Sequence, residues 1–475
     1  MAKKTRGLKS FTGVLLLIMA PWAAASENLN NLTLEDCIRI ALQKHQSLQV
    51  SAAASLMAEA QYQQAMSAYW PQLSLDVNAS RADQERTFSL QGAVALPQQL
   101  SGALSGVLAS SGAQPVKSLP IDMEIKLFDR DLLTASINVT YPIFTGGKRG
   151  AIVGQAKQGI KIASEGQRKS KLEVIRDVKR FYYGAQFTLK MEQLTRYTLA
   201  RFQVLEELTE RLYKHGSLKV KKTDYLRTRT TTAITRSILH EAEYSRELAH
   251  EALGNAMGLH WDTSVTLSKD SQAGQLNENL QTLIASAHDF NPDIQQLRLA
   301  VQTAEYKIME ARSGYFPVVG FQASAHKLWN DFDGGLVNKT NREGWTIGIG
   351  LQWNLFDGFR TSGKVDHAKA SERKLKSQQI LLDQGMALQI KQQFLRLQSA
   401  SKQIEDTREA YKFASENRKL NLRAYREELV ETKDVIEAQI IETFTRSAQY
   451  RSQHSLDLAL TTLEYLVGRN IQELQ

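Results

Sequence analysis

The stretch Ala65-Met66-Ser67-Ala68-Tyr69-Trp70-Pro71 recurs 246 residues later, with Pro71 matching Pro317, as Ala311-Arg312-Ser313-Gly314-Tyr315-Phe316-Pro317. Each copy places two aromatic residues before a proline, and the apolar residues upstream repeat at the same offset without a gap. The matched pairs include Leu34 with Leu280, Ile38 with Ile284, Ala41 with Ala287, and Leu48 with Ile294. Such a match indicates that the chain contains two copies of one long structural unit.

Two further matches extend the repeat toward the end of each copy. The segment Tyr141–Lys148 matches Trp353–Arg360 at an offset of 212, with Phe144 facing Phe356. Leu253 and Gly258 then match Leu463 and Gly468. We therefore expect a first repeat over residues 26–260, a polar linker over 261–276 and a second repeat over 277–475.

Residues 1–25 have the pattern of a secretory signal peptide. Basic residues precede an apolar run over 14–20, and Ala23-Ala24-Ala25 fits a cleavage site between small residues. The apolar run is too short to cross a bilayer as a retained anchor. We expect an exported protein.

Four segments alternate apolar and polar residues with a period of two, which is typical of β-strands. They lie near residues 73–79, 133–143, 319–325 and 345–355, and form hairpins over about 71–144 and about 317–356. Their lengths suit tilted transmembrane strands. For any single segment, a soluble hairpin with one buried face is the alternative.

Aromatic residues mark the ends of these segments and suit the interface between lipid and water. The residues expected there are Trp70, Tyr141, Phe144, Phe316, Trp353 and Phe356. Four strands cannot close a barrel, because about eight are needed and an open edge in lipid leaves backbone groups unpaired. The pattern predicts a barrel shared between subunits, without fixing their number.

Most of the remaining sequence predicts long helices. The first repeat predicts a helical hairpin over about 148–258, with its turn at His215-Gly216-Ser217, and the second predicts one over about 363–468. We expect these hairpins to pack as antiparallel coiled coils. The predicted fold class is mixed and mainly α.

The first β-hairpin is much longer than the second. Pro71 to Phe144 spans 73 positions, whereas Pro317 to Phe356 spans 39. The extra residues fall in a stretch rich in Ser, Gly and Ala that includes 100–112. We interpret it as a long exterior loop, which barrels tolerate on one side. A plug or a receptor role is the alternative.

The sequence shows no spacing typical of an enzyme, a cofactor site or a metal site. His240-Glu241 lacks the second histidine of a zinc helix, and Gly146-Gly147-Lys148 lacks the remaining positions of a phosphate loop. The single cysteine, Cys37, has Leu283 as its repeat counterpart, which indicates a position in the core. We expect no enzymatic activity and no cofactor.

Charged residues cluster at both turns between the long helices. The first turn is basic, which in an exported chain favours a solvated tip or an acidic protein partner over nucleic acid. At the second turn Asp434 and Glu437 are three residues apart and share a helix face. In a symmetric tube they would form carboxylate rings that favour cations. A solvated acidic turn is the alternative.

The chain resembles the TolC-like outer membrane efflux proteins over essentially the whole mature sequence. The resemblance depends on the order of several duplicated motifs. They are Leu32-Thr33-Leu34-Glu35-Asp36, Asn291-Pro292-Asp293-Ile294, the aromatic-proline pairs, Tyr141–Gly147, Leu355–Gly358 and Leu466-Val467-Gly468. It implies a homotrimer with a twelve-stranded barrel in the outer membrane, continued into the periplasm by coiled-coil helices. It also implies docking of a periplasmic adaptor and an inner-membrane pump, with export of drugs or polypeptides through one conduit.

The resemblance further implies a gate at the helix tips. Tyr425, Asp434 and Glu437 match the tyrosine and the paired acidic positions of that gate. Glu428 stands where the family usually has glycine, and Val430 replaces a basic residue. We therefore expect the hydrogen bonds that close the family's gate to differ in this chain.

The first turn differs in its spacing. Asp224 follows Gly216 by eight positions, whereas Asp434 follows Glu428 by six, so Lys222 holds the spacing that matches Asp434. Our sequence hypothesis is a modified gate in which Lys222 opposes a carboxylate.

The leading functional hypothesis is a passive exit duct whose helix tips open when the adaptor binds. The alternative from another class is a periplasmic coiled-coil adaptor or structural protein, which has no need of lipid-facing strands. A general diffusion porin disagrees with the predicted helix content. The sequence leaves the exported substrate open between drugs and polypeptides.

Overall fold

The computed structural model describes residues 29–112, 117–128, 130–263, 265–268, 274, 276, 278–329 and 342–469. The predicted signal peptide and part of the predicted linker lie outside the described residues. The chain divides into two compact units. The tip unit contains the described residues up to His45 with Asp177–Gly274 and Ala400–Leu458. The sheet unit contains Gln46–Arg176, Gln275–Ser399 and the described residues from Ala459 onward.

The elements follow the same order in both repeats, except that the first repeat also contains β2, α3 and β3. The helices are α1 (Leu34–Lys44), α2 (Gln46–Met66), α3 (Gln98–Ala109), α4 (Lys148–Lys214), α5 (Lys222–Ala256), α6 (Leu280–Phe290), α7 (Pro292–Arg312), α8 (Arg360–Arg426) and α9 (Thr432–Val467). The strands are β1 (Gln72–Arg81), β2 (Arg86–Ala95), β3 (Ser118–Phe128), β4 (Asp131–Phe144), β5 (Val318–Trp329) and β6 (Glu343–Gln352).

The main sheet is antiparallel and has the strand order β1-β4-β5-β6. β1 pairs with β4, β5 pairs with β6, and the pairing of β4 with β5 joins the two repeats. Among the described residues, β1 and β6 each have a partner on one side only. The sheet therefore ends in two edges that can accept another strand.

The register places most of the apolar residues of all four strands on one face. Leu75 lies opposite Ile137, Ile137 opposite Ala325, and Ala325 opposite Trp345. Residues directly opposite each other share a face, so this row is apolar across the sheet. The next row consists of Asp76, Ser136, His326 and Gly344. The predicted alternation is confirmed, because the sheet has one apolar face and one polar face.

The long first hairpin contains two strands and a helix, where the sequence interpretation had only a loop. β2 and β3 form an antiparallel ladder, and α3 connects them. Phe88 lies opposite Ile125 and Leu90 opposite Met123, which makes one face of this ladder apolar. The alternation in β2 is interrupted at Gly92, and this weakens the strand signal in the sequence.

α4 and α8 are the longest helices, each with 67 residues. At 1.5 Å per residue each is about 100 Å long. α4 follows Gly146 and Gly147, whose φ angles of +61° and +86° favour glycine because a Cβ atom is strained in this region. α8 follows Gly358, with φ +66°. No helix among the described residues has the length and apolar character needed to cross a membrane.

Each unit has its own apolar core. In the tip unit the buried cluster consists of Phe202, Leu205, Tyr425, Val435 and Ile436. In the sheet unit the buried cluster consists of Leu283, Ala287, Ile294, Met386, Ile390, Leu463, Leu466 and Val467. The predicted core position of Cys37 is confirmed, because Cys37 and Leu283 are both fully buried.

The glycine at the end of each repeat allows two backbone segments to approach closely. Within the tip unit, a Cβ atom on Gly258 would lie 2.8 Å from His45 Cα. Within the sheet unit, a Cβ atom on Gly468 would lie 2.9 Å from Asn291 Cα. His45 and Asn291 are themselves separated by the repeat offset, so matching positions of the two copies pack in the same way.

Candidate functional site

The turns α4–α5 and α8–α9 are built alike. Gly216 and Glu428 hold the same place in them, with φ angles of +75° and +53°. The next amide in each turn, of Ser217 or Leu429, donates to a carbonyl five residues earlier, at 3.1 and 2.9 Å. This pattern satisfies carbonyl groups that the helix end would otherwise leave unpaired.

Glu428 also connects the two turns. Ser217 Oγ donates to Glu428 Oε2 at 3.0 Å, and Lys219 Nζ donates to the Glu428 carbonyl oxygen at 2.7 Å. A glycine at this position would adopt the backbone angle more readily but would have no carboxylate. The departure from glycine therefore provides a side-chain contact between the turns of one protomer.

Asp224 and Asp434 occupy equivalent positions at the starts of α5 and α9. Asp224 Oδ2 accepts from the backbone N–H of Lys221 at 3.0 Å, and Asp434 Oδ2 accepts from that of Glu431 at 3.0 Å. Each carboxylate caps the first turn of its helix. The counterpart of Asp434 is therefore Asp224, and not Lys222 as the sequence spacing indicates. The first turn has two extra residues before its helix begins.

Lys222 is exposed at the first position of α5. Within the described part of one protomer it forms no ion pair. The lysine that reaches the other turn is Lys219. The predicted contact between Lys222 and a carboxylate is therefore not formed among the described residues of one protomer.

Tyr425 is buried in the core of the tip unit. Its hydroxyl lies 3.0 Å from Thr209 Oγ1 and 2.9 Å from Thr432 Oγ1. These contacts connect α4, α8 and the first residue of α9. The ring and the hydroxyl of Tyr425 are therefore both shielded from solvent.

Asp434 and Glu437 are in different environments although they are close in sequence. Asp434 is half-buried and engaged in its cap, whereas Glu437 is exposed. Among the described residues, Glu437 has neither a hydrogen bond nor an ion pair. Its carboxylate is therefore accessible to solvent.

Sequence reasoning missed a buried ionic cluster in the tip unit. The Glu442 side chain is 4% exposed and forms ion pairs with Arg201 and with Arg418, the latter at 2.6 Å. The buried Arg418 and the partly buried Arg201 therefore share one buried carboxylate. Pairs separated by this much sequence are invisible to local patterns. The available signal is a carboxylate on the buried stripe of α9 that includes Val435 and Gln439.

The predicted interface aromatics gather at one end of the main sheet. The register brings the start of β1 beside the end of β4, and the start of β5 beside the end of β6. Trp70 and Phe356 are largely exposed, and Trp353 Nε1 donates to the Tyr315 carbonyl at 3.1 Å. At this same end are Trp70, Tyr141, Phe144, Phe316, Trp353 and Phe356. A single band of partly exposed aromatic rings is typical of a membrane interface.

The described residues contain no group of His, Cys, Asp or Glu placed to hold a metal ion. Burial raises the pKa of the Cys37 thiol to about 12, which keeps it protonated and unreactive at neutral pH. The features that distinguish the described residues are the two charged turns between the long helices and a sheet with one apolar and one polar face.

A family model described as "Outer membrane efflux protein" matches residues 37–259 and 283–469. The two matched segments fall in the two sequence repeats. No curated protein sequence matches the chain.

Several solved structures resemble the chain over most of its length. VceC, an outer membrane protein of Vibrio cholerae, is 19% identical and has a TM-score of 0.72, with 92% of this chain and 96% of that chain covered. The open MtrE outer membrane channel of Neisseria gonorrhoeae is 16% identical, with a TM-score of 0.69 and coverage of 92% and 89%. A membrane protein from Pseudomonas aeruginosa is 15% identical, with a TM-score of 0.75 and coverage of 93% and 91%. These likenesses confirm the predicted fold class.

Proposed function

Because the chain belongs to the outer membrane efflux protein family, we propose that it is the outer membrane exit duct of a tripartite efflux or type I secretion system. The family comprises transport proteins of the outer membrane and is not a known class of enzyme. Within that family, the proposed role of this chain is passive export of drugs or polypeptides, with energy supplied by partner proteins.

The observation that carries this proposal is the main sheet, which combines one apolar face with two unpaired edges. In lipid each edge must find a strand, because unpaired backbone groups in hydrocarbon cost several kcal/mol each. Pairing β1 of one protomer with β6 of the next satisfies both edges. Three protomers of four strands each give a closed barrel of twelve strands, which is wide enough for a lumen. Homotrimer formation is therefore part of the proposal.

The helices of such a trimer would extend into the periplasm and dock a periplasmic adaptor and an inner-membrane pump. The basic first turn, with Lys214, Lys219 and Lys221, is chemically suited to an acidic surface on the adaptor. Adaptor binding would then favour the open population of the tips.

The proposed gate consists of two kinds of residue. Tyr425, Asp224 and Asp434 hold the ends of the helices through packing and caps. Glu437, with Lys222 at the other turn, presents exposed charge that a neighbouring protomer or a passing ion can meet. Glu437 is therefore the residue through which the tips would select cations.

The test is planar-bilayer conductance of the detergent-extracted mature protein, with its mass measured on the same sample. We expect a trimer with small, cation-selective openings, and we expect Glu437→Gln to lower the preference for cations without enlarging the opening. Glu409→Gln, an exposed carboxylate on α8, is the matched control and should leave selectivity unchanged. A monomeric, water-soluble and silent product would contradict the proposal and favour the adaptor alternative.

A further inference from the structure

The sheet unit contains a cavity of about 610 Å³ where the main sheet meets its helices. Its walls come from the ends of β5 and β6 and from α4, α7 and α8. A volume of this size accommodates a small organic molecule. It is separate from the tip residues considered above, which all belong to the tip unit.

The cavity is strongly basic. Lys148, Lys307 and Lys364 line it together with His367, and all four side chains are exposed. The acidic residue on its wall is Glu310, whose carboxylate accepts a hydrogen bond from Gln155 at 2.7 Å. Within the described part of the chain, none of the three lysines forms an ion pair. Three ammonium groups without counterions around one concave surface attract an anion.

The position of the cavity on the sheet identifies the side to which it opens. Val318 and Gln352 line it and lie opposite each other in the β5–β6 ladder. They belong to the polar face, because the neighbouring pair of Val319 and Leu351 belongs to the apolar face. In a closed transmembrane barrel the apolar face meets lipid and the polar face lines the interior. The cavity therefore opens to the interior.

We propose that this cavity is a binding site for small organic anions, carrying carboxylate or phosphate groups, that pass through the duct. This inference rests on the proposed function, because the interior exists only in the assembled barrel. In a trimer the cavity would occur three times and place nine lysines around the conduit. The local positive charge raises the concentration of anions beside it, while the exposure of the lysines keeps binding weak enough for release. The sign of this charge is opposite to that of Glu437, so the duct would contain sites of both signs.

The test is equilibrium dialysis of radiolabelled citrate against the detergent-extracted trimer at low ionic strength, where screening is weak. Citrate is the probe because its three carboxylates match the three lysines. Wild-type protein should bind citrate saturably, and the double variant Lys307→Gln/Lys364→Gln should bind it about tenfold more weakly or not at all, since two of the attracting charges are gone. The control is Lys369→Gln/Lys374→Gln, which removes two exposed lysines of α8 that do not line the cavity. It should bind citrate as the wild type does.

Equal binding by both double variants, or no saturable binding to the wild type, would overturn the inference. Exposed lysines contribute little to folding, and trimer mass measured on each variant checks this. Conductance recorded on the same samples separates this inference from the proposed function. A conducting trimer that fails to bind citrate would contradict only the proposed anion site. A monomer without conductance would contradict the proposed duct itself.

Discussion

Ser217 Oγ donates to Glu428 Oε2 at 3.0 Å and so connects the α4–α5 turn to the α8–α9 turn within one protomer. Glu428 accepts this bond from a left-handed backbone conformation, with φ +53°. At Glu428 the left-handed backbone conformation therefore destabilises the turn, whereas the hydrogen bond from Ser217 stabilises it. Substitutions at Glu428 can separate the two effects.

Glu428→Ala should loosen the second turn, whereas Glu428→Gly should leave it nearly unchanged. Alanine keeps the backbone cost and loses the bond from Ser217, which contributes about 1 kcal/mol. Glycine also loses that bond but relieves a backbone cost of similar size, about 1 kcal/mol. Hydrogen exchange at the Leu429 amide, which donates to Ala424, reports the difference. We expect exchange to be about fivefold faster in the alanine variant.

Glu427→Ala is the control for this comparison, because Glu427 is exposed and precedes the left-handed position. Its Leu429 amide should exchange at the wild-type rate. Identical exchange in Glu428→Ala and Glu427→Ala would show that the Ser217 contact does not hold the turn.

Glu442→Ala should be among the most destabilising single changes in the tip unit. It leaves Arg201 and Arg418 without their shared carboxylate, and the loss of one partner from a buried ion cluster typically costs about 3–5 kcal/mol. Glu243→Ala is the matched control, because Glu243 pairs with the 59% exposed side chain of Arg196. An exposed pair contributes about 1 kcal/mol or less. Thermal unfolding followed by circular dichroism at one scan rate measures both variants, and similar midpoints for the two would contradict the role of the cluster.

Gly468→Ala should destabilise the protein more than Gly147→Ala does. Both glycines have left-handed backbones, with φ +81° and +86°, so each substitution carries a backbone cost of about 1–2 kcal/mol. A Cβ atom at Gly147 meets nothing within 4 Å, whereas one at Gly468 collides with the backbone of Phe290 and Asn291. The yield of folded trimer at two growth temperatures compares them. If Gly147→Ala lowers the yield as much, the close approach at Gly468 has no separate cost.

Cys37 should resist maleimide labelling in the folded protein up to at least pH 8. Its side chain is fully buried, and burial raises the pKa of the thiol to about 12. A raised thiol pKa favours the neutral form, so at pH 8 the thiolate fraction is about one in ten thousand. Labelling should become complete in denaturant, measured as a mass increase. Rapid labelling of the folded trimer would show that α1 opens readily.

The main sheet could be predicted well from the sequence, because the alternation that marks each strand lies within a few consecutive residues. The alternation in β1 and β6 marks strand and face together, and the register then matches apolar rows across the sheet. The β2–β3 ladder was missed because Gly92 breaks the alternation and the neighbouring residues resemble a loop.

The tips were predictable only in part, because their contacts are distant in sequence. Asp434 and Glu437 stood out as a charged pair, but nothing local distinguishes the cap at Asp434 from the free carboxylate at Glu437. Counting residues from Gly216 to Lys222 failed because the first turn is longer than the second. The equivalent positions are found by counting from the first residue of each helix, and this count matches Asp224 with Asp434. The contact between Ser217 and Glu428 joins residues 211 positions apart, which only folding brings together.

The one-sided pairing of β1 and β6 also constrains the order of events in biogenesis. A lone protomer in the bilayer would expose two rows of unpaired backbone donors and acceptors to hydrocarbon, which is prohibitively unfavourable. In water, the same edges would recruit strands from any nearby chain. Association and membrane insertion must therefore occur together, and the yield of assembled protein should depend on the concentration of chains at the membrane.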